Sequence, residues 1–528
     1  MTPTEEKALT VYKASAGSGK TFTLSVEYIK LLIKNPMSFR STLAVTFTNK
    51  ATEEMKTRIL SQLYGIWNQL PKSKDYIEKI KSELGMTEQF MSDRAKIALF
   101  NIVHNYSYFR IETIDSFFQS VLRNIARELD LTANLRIELN DRQIESIAVD
   151  EMIDELGEKD ELLKWILGYI KENIDDDKNW NVIGYIKSFG ENIFREFYKT
   201  KSKELNTLLH EKGFFEQYTK RIRTIRDEAE AELKSVAAEF FEALETEGVD
   251  IADLSYGKSG PAGYFIKLQN GQYDESIITG RVQKALDEGS ADCWTKKSAP
   301  QSLRHFAEET IVPLLEKAES TRKSNWKMYA SAVLTLKHLN QLRLLNSIER
   351  KVREMNVEAN RFLLSDTQTL LHSLIQGSDS PFIFEKIGTQ LNHVMIDEFQ
   401  DTSTIQWKNF KVLLEETMSR EDAGNLIVGD VKQSIYRWRS GDWRMLNNIK
   451  GEFPQMSDML DIRTLTHNYR WSRRVINFNN AFFERAAEIE FNDLKECCGE
   501  DDMQLAEQLK SAYADVCQKV PDKREDSG

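Results

Sequence analysis

Cysteine is scarce in this sequence: Cys293, Cys497, Cys498 and Cys517 are all that 528 residues contain. Their spacing holds no CxxC pair and suits neither a zinc knuckle nor a disulfide framework, so free thiols in a reducing compartment are expected. The seven histidines are scattered without an HExxH pattern, and a metal held wholly by protein groups is not expected. No run of about 18 apolar residues exists to span a bilayer, and the first ten residues, MTPTEEKALT, lack the basic-then-apolar order of a secretory signal. A cytoplasmic protein with no membrane partner is the expectation. Proline is the third scarcity, with none between Lys72 and Gly260, which removes the commonest helix breaker from a long stretch. Basic charge is short as well. The net charge of −12 argues against a nucleic-acid partner unless a local basic surface supplies one.

What is present is a soluble composition, 41% hydrophobic and 29% charged, long enough for two to four folding units. In the proline-free stretch, segments such as RQIESIAVDEMIDEL and DEAEAELKSVAAEFFEAL repeat apolar residues every three or four positions, as helices do. Short β-rich runs lie towards both ends: residues 9–14, 41–48, 108–114, 392–399, 425–430 and 462–467. Several are followed by helical patterns, the signature of a parallel α/β sheet with helices on both faces. The helical middle, about 131–355, then reads as an insertion, with 255–265 as an internal loop.

The stretch VYKASAGSGKTFTLSVEYIKLL places a strand, a small-residue loop and an amphipathic helix in succession. Gly17 and Gly19 let backbone N–H groups approach phosphate oxygens, and the helix start adds its positive end. Lys20 would reach the β and γ phosphates of ATP and Thr21 would offer its hydroxyl to Mg²⁺. Ala14 stands where the pattern GxxxxGK(S/T) has glycine. Ser15, Ala16 and Ser18 complete the loop. Further on, HVMIDEFQDTS ends a strand in adjacent acids, setting Asp397 towards the metal and Glu398 towards an attacking water.

Read in order, ASAGSGKT (14–21), VTFTNKATEEMKTRI (45–59), IETIDSFFQ (111–119), VMIDEFQDTS (394–403), VGDVKQSIYRWRSGD (428–442) and LTHNYRWSRRVINFNN (465–480) resemble the motifs of UvrD/Rep-type superfamily 1 DNA helicases. The wording YKASAGSGKTFTL and VGDVKQSIYR, with the large helical insertion, is most similar to the RecB/AddA branch of helicase-nucleases. The resemblance implies a RecA-like motor domain 1A in two parts, 1–130 and 356–460, a 1B-like insertion at 131–355, and the start of a second motor domain, 2A, at 461–528. It implies ATP-driven movement 3′ to 5′ along single-stranded DNA, contact with duplex DNA, and an AddB-like second subunit.

By the same resemblance, Gln433 senses the γ-phosphate, Tyr436 and Trp438 are base-stacking platforms, and Arg439 helps hold the strand. Stacking suits a motor indifferent to sequence, because every base offers a π-face. Residues 432–444 hold four basic side chains against one acid, a possible local basic surface. Phe47, Thr48 and Asn49, at a strand end, match a stacking aromatic with phosphate contacts; the plainer reading of Phe47 is a ring packed under the next helix. Thr113 and Ser116 match a DNA-contacting motif, although Asp115 stands where many relatives carry histidine. Tyr469 matches the residue that stacks on adenine, and Arg470 an arginine finger on the γ-phosphate.

Two later motifs of the second motor domain and a RecB-type nuclease module are not found before residue 528, so an N-terminal portion of a longer helicase is expected, binding ATP weakly by itself. The alternative is a non-catalytic, ATP-gated DNA-binding or scaffold subunit. An unrelated kinase or transporter ATPase would leave DEFQDTS and GDVKQSIYRWR without a role.

Overall fold

The computed structural model describes residues 7–125, 136–138, 140–158, 160, 162–163, 166–167, 170, 182–211, 213–359, 361–377, 391–420, 423–497 and 503–521. The chain divides into two compact units, one of Met1–Gln143, Phe194–Thr200 and Met355–Gly528, the other of Ile144–Ile193 and Lys201–Glu354.

The first unit is built on six parallel strands: β1 (Leu9–Lys13), β2 (Thr42–Thr46), β3 (Ile111–Thr113), β6 (His393–Ile396), β7 (Asn425–Gly429) and β8 (Leu460–Thr464), in the spatial order β3-β2-β6-β7-β1-β8. All six β-rich runs of the sequence supply one of them. In register, Val11 lies opposite Ile427 on one side and Ile462 on the other. Because successive side chains of a strand point to opposite faces, each strand feeds two cores. Leu9, Val11, Leu43, Val45, Val394, Ile396 and Ile427 pack with Phe117, Phe118 and Phe410 on one face. Tyr12, Ala44, Met395, Leu426 and Val428 pack with Ile29, Leu32, Ile59 and Ala95 on the other. Helices Ile114–Ile125 and Thr404–Met418 cover the first face, and Lys20–Lys34, Asn49–Trp67 and Glu88–His104 the second. This double covering explains why β2, β6 and β7 are buried along their whole length and read as continuous apolar runs. Buried Asn425 ties the sheet: its side chain accepts from Val394 N (2.9 Å) and donates to Ala8 O (3.1 Å).

β1 and β2 are consecutive in the chain but separated by β7 and β6 in space. Ligands of open parallel sheets meet the protein at the carboxyl ends of strands around such a switch of order. A second, two-stranded parallel pair, β4 (Arg136–Glu138) with β5 (Arg361–Leu363), was not visible as a sequence pattern.

The other unit is built of helices among its described residues, joined by turns and one isolated antiparallel bridge between Leu254 and Thr295. Its core brings Phe240 and Phe265 into stacking at 4.0 Å, with Trp294 fully buried beside them. Under this core Arg322 makes two hydrogen bonds to buried Glu319, which also accepts from Tyr264 Oη, so a charge pair removed from water is fully partnered. Among the described residues no helix is long and apolar enough to cross a membrane.

Candidate nucleotide and nucleic-acid site

The loop after β1 turns through two glycines in the left-handed region, Gly17 at φ +81° and Gly19 at φ +87°. Helix Lys20–Lys34 starts on Gly19 with no side-chain cap, so its first amides are donors without an intrahelical partner. An uncapped start with no acid in its first turn is what a phosphate at a helix N-terminus requires. The loop is braced from behind: Ala14 N donates to Gly429 O (2.9 Å) and Ser18 N to Ser15 O (3.0 Å), while the Ser18 hydroxyl accepts from Ser15 N (3.2 Å).

Lys20 Nζ lies 2.6 Å from Glu398 Oε2 and 3.4 Å from Gln433 Oε1, so the side chains expected to serve the phosphates converge across 378 and 413 residues of chain. Glu398 holds φ +49°, a conformation that costs a non-glycine residue energy and persists only when its surroundings fix it. Three contacts do so: its N–H donates to Asp397 Oδ1 (2.9 Å), and its carboxylate accepts from Lys20 and from Gln400 Nε2 (2.7 Å). Asp397 is buried at the end of β6, and burial, reinforced by the Glu398 charge, pushes its carboxyl up to about 6. Asp401 is raised to about 6 in the same way. Carboxyls held up by burial and like charge create a place where a cation is favoured. Thr21 follows Lys20 in the first turn of helix Lys20–Lys34, and its hydroxyl, like the Asp397 carboxylate, is an oxygen donor of the kind Mg²⁺ takes.

Gln433 donates to Asp430 Oδ2 at 2.6 Å. Three residues on, Tyr436 packs its ring against Phe47, centroids 4.6 Å apart, and the Arg439 guanidinium lies 5.7 Å from the Phe47 ring and 5.9 Å from that of Tyr436. Phe47 is half-buried against this partner. Thr48 and Asn49 are exposed, and the Thr48 hydroxyl caps the following helix by accepting from Ala51 N (3.2 Å). On the neighbouring strand, Thr113 Oγ1 donates to Ser116 Oγ at 2.8 Å, and Asp115 accepts from Gln368 and Gln406 (3.4 and 3.1 Å). The Trp438 side chain lies outside the described residues. Of the four basic residues in 432–444, Lys432 pairs with Asp515 (2.8 Å) and Arg444 with Asp442 (2.7 Å).

Exposed Tyr469 sits against the phosphate loop, its ring 3.9 Å from where a Cβ on Gly19 would be and its N–H donating to Gly17 O (2.8 Å). Arg470 follows, also at the loop.

The glycine loop, the paired acids and an aromatic-arginine surface stand together at the carboxyl ends of β1, β2, β6 and β7. The profile of the UvrD/REP helicase N-terminal domain matches residues 2–454. The chain belongs to this helicase family. It is similar over 92% of its length, at 26% identity, to a subunit of the ATP-dependent helicase/nuclease of Listeria welshimeri, and over 91%, at 25% identity, to the same subunit of the Bacillus cytotoxicus enzyme. It is also similar over 90% of its length, at 22% identity, to the RecBCD enzyme subunit RecB of Haemophilus influenzae. These matches take in 39%, 38% and 40% of those proteins; the chain spans about two fifths of the length of the curated relatives it matches.

Two polar residues of this candidate site, Gln400 and Asn468, escaped the sequence. Gln400, 1% exposed, donates to Glu398 and accepts from Asp430 N (2.8 Å), joining the acids to the Gln433 loop. Asn468, fully buried, donates to Ala16 O (3.0 Å) and accepts from Arg470 N (2.9 Å) and Trp471 N (3.1 Å). Gln400 lies inside the motif VMIDEFQDTS, and its place beside the acids was the available signal. Asn468 sits next to the quoted Tyr469.

Proposed function

We propose that this chain is the ATP-driven motor of a cytoplasmic DNA helicase of repair or recombination, moving 3′ to 5′ along single-stranded DNA and working with a nuclease-bearing assembly that includes an AddB-like second subunit. The reading rests on family membership, on the likeness to helicase/nuclease and RecBCD subunits, and above all on one observation: Lys20 touches both Glu398 and Gln433, and the Gln433 loop runs directly into the Tyr436–Phe47 surface.

In this reading the amides of Gly17, Gly19, Lys20 and Thr21 receive the phosphates of ATP, and Tyr469 stacks on the adenine. Lys20 exchanges its Glu398 partner for a phosphate oxygen. Glu398, relieved of its cation, then orients and deprotonates the attacking water. Mg²⁺, held by Thr21 and Asp397, supplies charge neutralisation on the phosphates when bound. Arg470 offers its planar cation to the charge developing on the γ-phosphate. Gln433 reports the γ-phosphate to the loop bearing Tyr436, Trp438 and Arg439, which with Phe47, Thr48, Asn49, Thr113 and Ser116 grips single-stranded DNA at the duplex junction.

The test is ATP hydrolysis with and without single-stranded DNA, together with streptavidin displacement from oligonucleotides biotinylated at either end. Hydrolysis should rise with DNA, streptavidin should leave the 5′ end, and Lys20→Ala should abolish both. Displacement from the 3′ end would reverse the polarity. DNA binding that neither stimulates hydrolysis nor responds to nucleotide would replace the motor with a scaffold role.

A further inference from the structure

The phosphate loop is held from outside by a segment far along the chain. Gln518 Nε2 donates to Ala16 O at 3.1 Å, and its Oε1 accepts from Asn468 Nδ2 at 2.7 Å. Asn468 Nδ2 also donates to Ala16 O, so this one carbonyl receives two side-chain donors. The segment carrying Gln518 is itself fixed. Asn480, on helix Arg473–Cys497, grips the Gln518 backbone on both sides, donating to its O (2.9 Å) and accepting from its N–H (3.0 Å). Lys519 bridges the strand-like stretch before Asn468, with Asn468 N to Lys519 O at 2.9 Å and Lys519 N to Thr466 O at 2.7 Å. Asp515 pairs with Lys432, next to Gln433.

We propose that Gln518, positioned by Asn480, is a positioning residue of the ATP site: with Asn468 it fixes the Ala16–Gly17 peptide so that the Gly17 amide faces the phosphates, and it sets the turn that carries Arg470. The inference rests on the ATP-site reading above. A trans peptide is planar, its C=O and the following N–H pointing to opposite sides. Two donors on Ala16 O therefore aim the Gly17 N–H away from the Gln518 segment, while Tyr469 N takes the Gly17 carbonyl (2.8 Å). Asn468 uses all four of its hydrogen-bonding positions, two on Ala16 and Gln518 and two on the Arg470 and Trp471 amides. Removing Gln518 leaves a buried Asn468 donor short of an acceptor and lets the loop and the Arg470 turn relax together.

The experiment measures the affinity of the protein for a fluorescent ATP analogue with Mg²⁺, beside its thermal melt. Gln518→Ala should weaken binding about 3- to 10-fold, the range of one lost hydrogen bond. Gln518→Glu keeps the shape but, ionised, loses the donor to Ala16, so it should bind at least as weakly as Gln518→Ala at pH 8. It should recover towards the parent, compared at the same pH, as acid restores an O–H donor around and below about pH 4.3. Asn480→Ala, which frees Gln518 without touching the loop, should reproduce the loss with a cooperative melt, and decides the matter if a Gln518 variant does not fold. Parent-like affinity in Asn480→Ala, or in a folded Gln518→Glu at pH 8, overturns the proposal. Lys20→Ala separates the two readings: its loss of binding with normal Gln518 and Asn480 variants overturns only the positioning role, whereas parent-like binding by Lys20→Ala overturns the ATP site.

Discussion

At Gly17 a methyl group has no room: a Cβ there would meet Asn468 Oδ1 at 2.7 Å and Nδ2 at 2.9 Å, on a backbone at φ +81°. At Gly19 the backbone is as left-handed, φ +87°, but the nearest atoms are 3.9 Å away. Gly19→Ala should therefore cost only the backbone term, about 1–2 kcal/mol, while Gly17→Ala should cost about 1–2 kcal/mol more by dislodging Asn468. Denaturant unfolding of both variants measures the difference; equal losses would refute the contact. The same scale governs the nucleic-acid surface. Because Phe47 and Tyr436 share a ring contact at 4.6 Å, each truncation should weaken single-stranded DNA binding by about 1–3 kcal/mol, yet the double truncation by less than the sum. Tyr436→Phe should bind as the parent does, since the stacking face is kept. Anisotropy titrations of the four variants beside the parent decide this, and additive losses would show that the rings act separately.

Among the elements, helix Asp141–Asp154 holds a carboxylate on its buried face, in line with Ala148, Val149 and Met152. Glu145 is 2% exposed, its Oε1 lies 2.0 Å from where a Cβ on Gly190 would stand, and that oxygen has no hydrogen-bond partner among the described residues. Burial, aided by the charge of Glu191, pushes the Glu145 carboxyl up to about 8. A group raised on folding holds its proton in the native state while the unfolded chain has lost it, so its contribution is present below about pH 4.5 and falls away as pH rises to 8. Glu145→Gln should therefore melt with the parent at pH 5 and exceed it at pH 8.5 by on the order of a few kcal/mol. A variant that gains nothing at pH 8.5 would show that water reaches the carboxylate. Periodicity misses such a residue because it counts charge as solvent-facing, and only the absent side chain of Gly190, 45 residues on, makes the space. The strands were legible for the opposite reason. The inner strands β2, β6 and β7 are buried on both faces, as at Leu43, Ala44 and Val45, because helices cover both faces of the sheet, whereas β4 and β5 are three-residue strands with charged members and no pattern long enough to register.

Across the whole molecule, the legible part of the site was what a short span encodes: the glycine loop with Lys20, the Asp397–Glu398 pair, and the Gln433–Arg439 stretch. Contacts such as Gln518 to Ala16, 502 residues apart, leave no local trace, because any polar residue can meet any carbonyl once the topology brings them together. In the proposed function the distant contacts are also what would join nucleotide to DNA. Lys20 reaches Gln433, Gln433 bonds Asp430, and Gln400 ties Asp430 N to Glu398, so the loop ending at Tyr436 is anchored on the groups proposed to face the γ-phosphate. A non-hydrolysable ATP analogue should then change single-stranded DNA affinity about 5- to 150-fold, the span of ordinary coupling energies, and DNA must change the affinity for the analogue by the same factor. Gln433→Ala should bring that factor close to one while the affinity for each ligand alone stays within a few-fold of the parent. Anisotropy titrations of DNA at zero and saturating analogue measure it, and full coupling retained in Gln433→Ala would mean that the signal travels by another route than this loop.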